Sequence, residues 1–171
     1  MEIVLVRHGQ PEWQSGEGFT LDPCLTELGL EQATLSASAL RGQDYENLWV
    51  SDLKRAKETI VPFEKTLGFS SPSVFPWLRE MSDEKEKSLY GKSKKEIDSF
   101  FIERNSRPFD EWLENYHGKY FAGYSLNILK NLERELLHFG VSVIKSETEK
   151  IFSIKSPTKK NLLIVSHAGT M

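Results

Sequence analysis

Glu2-Ile3-Val4-Leu5-Val6 runs directly into Arg7-His8-Gly9, a β-branched apolar stretch that ends on a cation, an imidazole and a glycine. An apolar run without polar alternation predicts a strand buried on both faces, as in a parallel sheet under helices. Leu48-Trp49-Val50 and Asn161-Leu162-Leu163-Ile164-Val165 have the same character. Helical patterns lie between these runs, so the order is strand, helix, strand, helix. The expected fold class is α/β: a three-layer α/β/α sandwich with a largely parallel central sheet.

The helices carry their own punctuation. Thr26 is an N-cap for a first helix ending near Arg41, with Gly42 as its stop signal. Ala56, Ile60, Phe63 and Leu67 fall at helical spacing after Ser51-Asp52, and Gly68 closes that second helix. Pro62 inside the pattern predicts a kink or a shorter helix. A late helix is expected from about Ser125 to Phe139, with Leu129, Leu132 and Leu136 on one face.

The middle of the chain differs. Residues 81–92 are polar and Lys/Glu-rich, and Ser93-Lys94-Lys95-Glu96 is a capping box that opens a helix. Phe100, Phe101, Phe109, Trp112, Tyr116, Tyr120 and Phe121 follow. The stretch is too long for a simple crossover, so residues 81–124 are expected to form a helical cap inserted into a single domain spanning 1–171. Residues 141–160 are Lys/Ser-rich and receive no assignment. The third apolar run stops at Met171 with no covering helix after it, which predicts a truncated C-terminus.

Composition sets limits on function. With 171 residues, 39% hydrophobic and 27% charged, the chain can bury the core of one domain. A formal net charge of −3 argues against nucleic-acid or anionic-membrane partners, so any anion site must be local. Cys24 is the single cysteine, which excludes an intrachain disulfide and a cysteine-rich zinc site. The opening apolar run is too short for a signal peptide or a membrane span. The expectation is a cytoplasmic protein.

Chemistry concentrates at the strand ends. Loops at the carboxyl ends of strands line the ligand crevice of an open α/β sheet. Arg7-His8-Gly9 follows the first strand, Arg55 lies about one helical turn after the second, and His167 follows the third. Guanidinium groups match a phosphoryl dianion with bidentate, charge-assisted bonds. A neutral imidazole is a competent nucleophile near pH 7, and adjacent arginines favour that neutral form. Protonated against a phosphate, His167 would donate to transition-state oxygens. Gly9 would let the backbone approach a ligand closely. Two histidines at strand ends could also hold a metal ion, but Arg7 and Arg55 beside them would repel a cation. No metal ligand and no cofactor are assigned.

Four segments in order resemble the histidine phosphatase superfamily, also called phosphoglycerate mutase-like. They are Arg7-His8-Gly9, Leu25-Thr26-Glu27-Leu28-Gly29 with Gln32-Ala33, the run 51–59 with Arg55, and Ser166-His167-Ala168-Gly169. The resemblance implies that His8 is the nucleophile, that Arg7, Arg55 and His167 hold the phosphate, and that Ala168 contributes a backbone amide. It also points to Glu80, in Leu78-Arg79-Glu80-Met81, as the proton donor, a role that requires a protonated carboxyl when the ester oxygen leaves. Many members carry Asn where this chain has Gln14, still an amide donor toward phosphate. Thr20 sits where mutase-like members contact substrate. Gly123-Tyr124-Ser125 replaces a common Gly-Glu-Ser, with Ser125 capping the late helix.

The expected function is therefore a metal-independent phosphomonoester phosphatase acting on a small phosphorylated metabolite through phosphohistidine at His8. A phosphoglycerate mutase would use the same intermediate but must exclude water from it. The modest cap and the short end of this chain favour the phosphatase. A non-catalytic phospholigand-binding module is the third alternative, set against the complete His and Arg set.

Overall fold

The computed structural model describes residues 2–12, 20, 22–80, 89, 92–106, 118–138, 142–145, 152–155 and 161–167. In chain order the elements are β1 (Ile3–Arg7), α1 (Glu27–Ala39), β2 (Tyr45–Val50), α2 (Lys54–Leu67) and β3 (Ser73–Val74). A 3-10 turn (Pro76–Leu78), α3 (Lys94–Ser106), α4 (Gly118–His138), β4 (Ser142–Lys145), β5 (Phe152–Lys155) and β6 (Asn161–Ser166) follow.

Among the described residues, four strands form one parallel sheet in the order β1-β6-β2-β3. β6, the latest of them in sequence, thus lies between β1 and β2. β6 carries Leu163 and Val165 at 0% exposure, as a strand covered on both faces should. β1 does not meet that expectation. It lies at the sheet edge among the described residues, and Leu5 is 49% exposed.

Alternation along the strands sends side chains to two cores. Val50, Leu48, Leu163 and Val165 pack with Ala37 of α1 and with Ala56, Ile60 and Phe63 of α2. Trp49, Leu162 and Ile164 pack with Leu132 and Leu136 of α4 and with Leu78. Helices therefore cover both faces of the sheet, and the three-layer α/β/α class is met.

Local chemistry sets the helix ends. The Thr26 hydroxyl accepts from Gly29 N–H at 3.0 Å and caps α1. α1 buries its small residues Gly29, Ala33 and Ala37, while Leu28, Leu30 and Leu35 face outward. α2 continues through Pro62 to a left-handed Gly68 cap at φ 77°, so the proline does not shorten it. Ser93 and Glu96 form the expected capping box at the start of α3, with Ser93 N–H donating to the Glu96 carboxylate at 2.9 Å.

Other expectations fail. α4 begins at Gly118, so Ser125 lies inside the helix and does not cap it. Within residues 141–160, left unassigned from sequence, β4 and β5 form an antiparallel pair, Ser142 opposite Lys155 and Lys145 opposite Phe152. Much of the segment expected as a cap lies outside the described residues, as does the chain end after His167.

Candidate active site

Sheet register assembles the site. Arg7 pairs with Ser166 and Val50 pairs with Val165, so β1, β6 and β2 end level with one another. Backbone bonding runs one step further: His8 N–H donates to Ser166 O at 3.0 Å and Ser51 N–H to Val165 O at 3.1 Å. His8, His167 and Ser51 are thereby delivered side by side, and all three are buried. β3 joins β2 through Phe75 N–H to Val50 O at 2.8 Å, and the turn after it carries Leu78, Arg79 and Glu80 to the same edge.

His8 is held in one tautomer. Its Nδ1 lies 2.7 Å from the Gly9 carbonyl oxygen, and a carbonyl only accepts, so Nδ1 carries the proton. Nε2 is then the nitrogen with the lone pair, and Arg55 Nε–H donates to it at 3.2 Å. Burial lowers the His8 pKa to about 4, the Gly9 carbonyl opposes that shift, and the charges of Arg55 and Arg7 reinforce it. Desolvation is therefore the leading cause, ahead of the arginines anticipated from sequence.

His167, at 0% exposure, is pushed far below the usual imidazole range, first by burial and then by the charges of Arg55, His8 and Arg7. Its Nε2 meets Ser51 Oγ at 2.9 Å. Among the described residues its Nδ1 has no hydrogen-bond partner, and it stands 3.9 Å from a Glu80 carboxylate oxygen. The His8 and His167 ring centroids are 5.0 Å apart.

His8, Glu80 and His167 offer ligating atoms within 4.8 Å of one another, a donor set that could hold a metal ion. The surrounding charge opposes one. Arg55 is 1% exposed, with Asp22 4.0 Å away as a partial counter-ion, and both Arg55 and Arg7 act electrostatically on both imidazoles. Such a field favours a dianion.

The loop around His8 is tightly built. Gly9 N–H donates to Thr59 Oγ1 at 3.0 Å, and that hydroxyl donates to Arg55 O at 2.7 Å. A Cβ on Gly9 would collide with the Gly29 carbonyl, and one on Gly29 with the Gln10 carbonyl. Gly9 thus permits the close approach of α1 to the loop. Beside it opens a cleft of about 250 Å³ lined by Arg7, His8, Gly9, Gln10 and Gln32.

Of the residues expected from sequence, His8, Arg55, Glu80 and His167 converge, and Arg7 and Gly9 adjoin them. Thr20 is linked through Asp22, whose N–H donates to its hydroxyl at 3.4 Å. Gln14 and Ala168 lie outside the described residues. Sequence reading gave no role to Thr59, Ser51, Asp22, Asp52 or Arg79. A signal existed for Thr59, which follows Arg55 by one helical turn on the same buried face.

Comparison with known proteins identifies the family. A profile described as the histidine phosphatase superfamily (branch 1) matches residues 3–125. The chain is 43% identical over 61 residues to a 2,3-bisphosphoglycerate-dependent phosphoglycerate mutase of Allorhizobium ampelinum, covering 33% of this chain but 29% of the mutase. It is 30% identical over 151 residues to a metal-independent phosphoserine phosphatase of Arabidopsis thaliana, covering 84% of this chain and 62% of that enzyme. The chain thus spans under two thirds of the length of these curated relatives. Among solved structures, a mycobacterial glucosyl-3-phosphoglycerate phosphatase in complex with VO3 superposes with a TM-score of 0.66 at 25% identity, over 98% of this chain and 76% of that one. Phosphoserine phosphatase of Entamoeba histolytica, in complex with 3-phosphoglyceric acid, shares the fold with a TM-score of 0.59 at 21% identity, over 98% and 74% of the two chains.

Proposed function

The chain belongs to the histidine phosphatase superfamily, and on that premise we propose that it is a metal-independent phosphomonoesterase whose His8 is transiently phosphorylated. One observation carries the reading. The Gly9 carbonyl fixes the proton on Nδ1, which leaves Nε2 as the nucleophile beside Arg55, His167 and Glu80.

Arg55 Nε–H donates to the Nε2 lone pair. A phosphoryl oxygen that takes over this donor frees the lone pair for phosphorus and anchors the dianion at once. Nε2 then attacks in line: a P–N bond forms, the P–O ester bond breaks, and Glu80 gives its proton to the departing oxygen. The Glu80 carboxylate next takes a proton from water, which attacks phosphorus and breaks the P–N bond. Inorganic phosphate leaves and Glu80 is protonated again. Arg7 and Arg55 bind equatorial oxygens throughout. Burial first, and then the arginine charges, keep His167 neutral; the negative charge of a bound phosphoryl group works against both and favours a protonated His167 that donates to a phosphoryl oxygen.

The substrate class that fits is a small phosphorylated metabolite. The phosphatases among the relatives support hydrolysis, and the local likeness to mutases supports the same phosphohistidine with transfer back to product. A panel of phosphomonoesters separates them. Stoichiometric release of inorganic phosphate supports the hydrolase, whereas isomerised 3-phosphoglycerate with little free phosphate supports the mutase.

A further inference from the structure

Arg79, the residue before Glu80, is held on Asp52 just past the end of β2. Arg79 forks onto Asp52, Nε to Oδ1 at 2.7 Å and a terminal nitrogen to Oδ2 at 2.5 Å. One residue earlier, the carbonyl of buried Leu78 accepts the Ser166 hydroxyl at 2.7 Å. Arg79 has extended backbone, φ −60° and ψ 154°. At these angles, those of polyproline II, successive side chains diverge by about 120°; with Arg79 held on Asp52, the Glu80 carboxylate stands 3.9 Å from His167 Nδ1. Asp52 itself follows Ser51, the partner of His167 Nε2. The imidazole and the carboxylate are thus referenced to the same short segment at the end of β2.

We propose that the Asp52–Arg79 pair sets the position of the Glu80 carboxyl, which makes Asp52 and Arg79 positioning residues for proton transfer to the leaving group. This rests on Glu80 being the proton donor. The Arg79 side chain is 57% exposed, and a pair open to water on one side adds little to stability. Its geometry is the useful part. A bidentate fork fixes both distance and angle, which a lysine or a single hydrogen bond would not do.

The test compares kcat/KM for 2,4-dinitrophenyl phosphate, whose leaving group departs without a proton, with that for phenyl phosphate, whose leaving group needs one. Arg79→Ala and Asp52→Asn are expected to lower phenyl phosphate turnover by about 10- to 100-fold, while the dinitrophenyl ester changes by less than about threefold. In a Glu80→Gln background, Arg79→Ala should add nothing further. Equal losses on both esters, or a full additional loss in the double variant, would show that the pair acts on folding or on substrate binding and would overturn the inference. If Glu80→Gln discriminates between the esters and Arg79→Ala does not, the inference alone fails. If Glu80→Gln treats them alike, the reading of Glu80 fails and takes the inference with it.

Discussion

His8 and His167 stand with ring centroids 5.0 Å apart because the residues before them, Arg7 and Ser166, are register partners in adjacent parallel strands. Residues at opposite ends of the chain are thus placed by backbone hydrogen bonds rather than by flexible loops. Rigid placement is what an in-line attack between fixed donors requires.

The same rigidity makes Gly29→Ala an informative change. In an exposed helix interior, glycine to alanine stabilises by about 0.5–1 kcal/mol. Gly29 sits inside α1 where a Cβ would strike the Gln10 carbonyl. The sign should invert, with a loss of about 1–3 kcal/mol in urea unfolding and a fall in activity as the Gly9–Gln10 loop shifts. An unchanged or raised unfolding midpoint would contradict the packing described.

Stability should fall in mild acid. His8 is held neutral, with its pKa lowered from 6.5 to about 4, and His167 is shifted in the same direction. As pH drops below 6.5 the unfolded chain takes up these protons first, so unfolding becomes easier. The stability present above pH 6.5 is progressively lost as pH approaches about 4, the His8 share being about 3 kcal/mol. Urea titrations across this range should show a shallower pH dependence for His8→Asn than for the parent chain. Parallel slopes would contradict the buried, neutral imidazole.

Arg55→Lys tests whether charge alone suffices. Lysine keeps the positive charge but loses the planar fork and the Nε–H that meets His8 Nε2. We expect kcat/KM to fall by about 10²–10³-fold, with weaker inhibition by inorganic phosphate. A change of less than about threefold would mean that the guanidinium geometry is dispensable.

Much of this was legible in the sequence, for identifiable reasons. β6 and β2 announce themselves by apolar runs, and Thr26 and Ser93 by capping chemistry. Arg7, His8, Arg55 and His167 could be placed because each follows a strand end. What depends on nonlocal pairing was hidden. The edge position of β1, and hence the exposure of Leu5, follows from a strand order that no local pattern encodes. The early start of α4 was masked by Gly118 and Gly123, poor helix formers amid aromatics. β4 and β5 are four residues each, too short for a pattern to declare itself, with serine and lysine at half of their positions. Glu80 rested on family resemblance, since its neighbourhood is crowded with acids, and the Asp52–Arg79 fork joins segments whose contact no spacing reveals.

Direct trapping of the intermediate addresses the central claim. The chain is mixed with a phosphomonoester, quenched within milliseconds under alkaline conditions that preserve phosphohistidine, digested and mapped by mass spectrometry. One phosphoryl group on His8 is expected in the parent chain, and both labelling and turnover should vanish in His8→Ala. Phosphorylation at another residue, or phosphate release that survives His8→Ala, would contradict it.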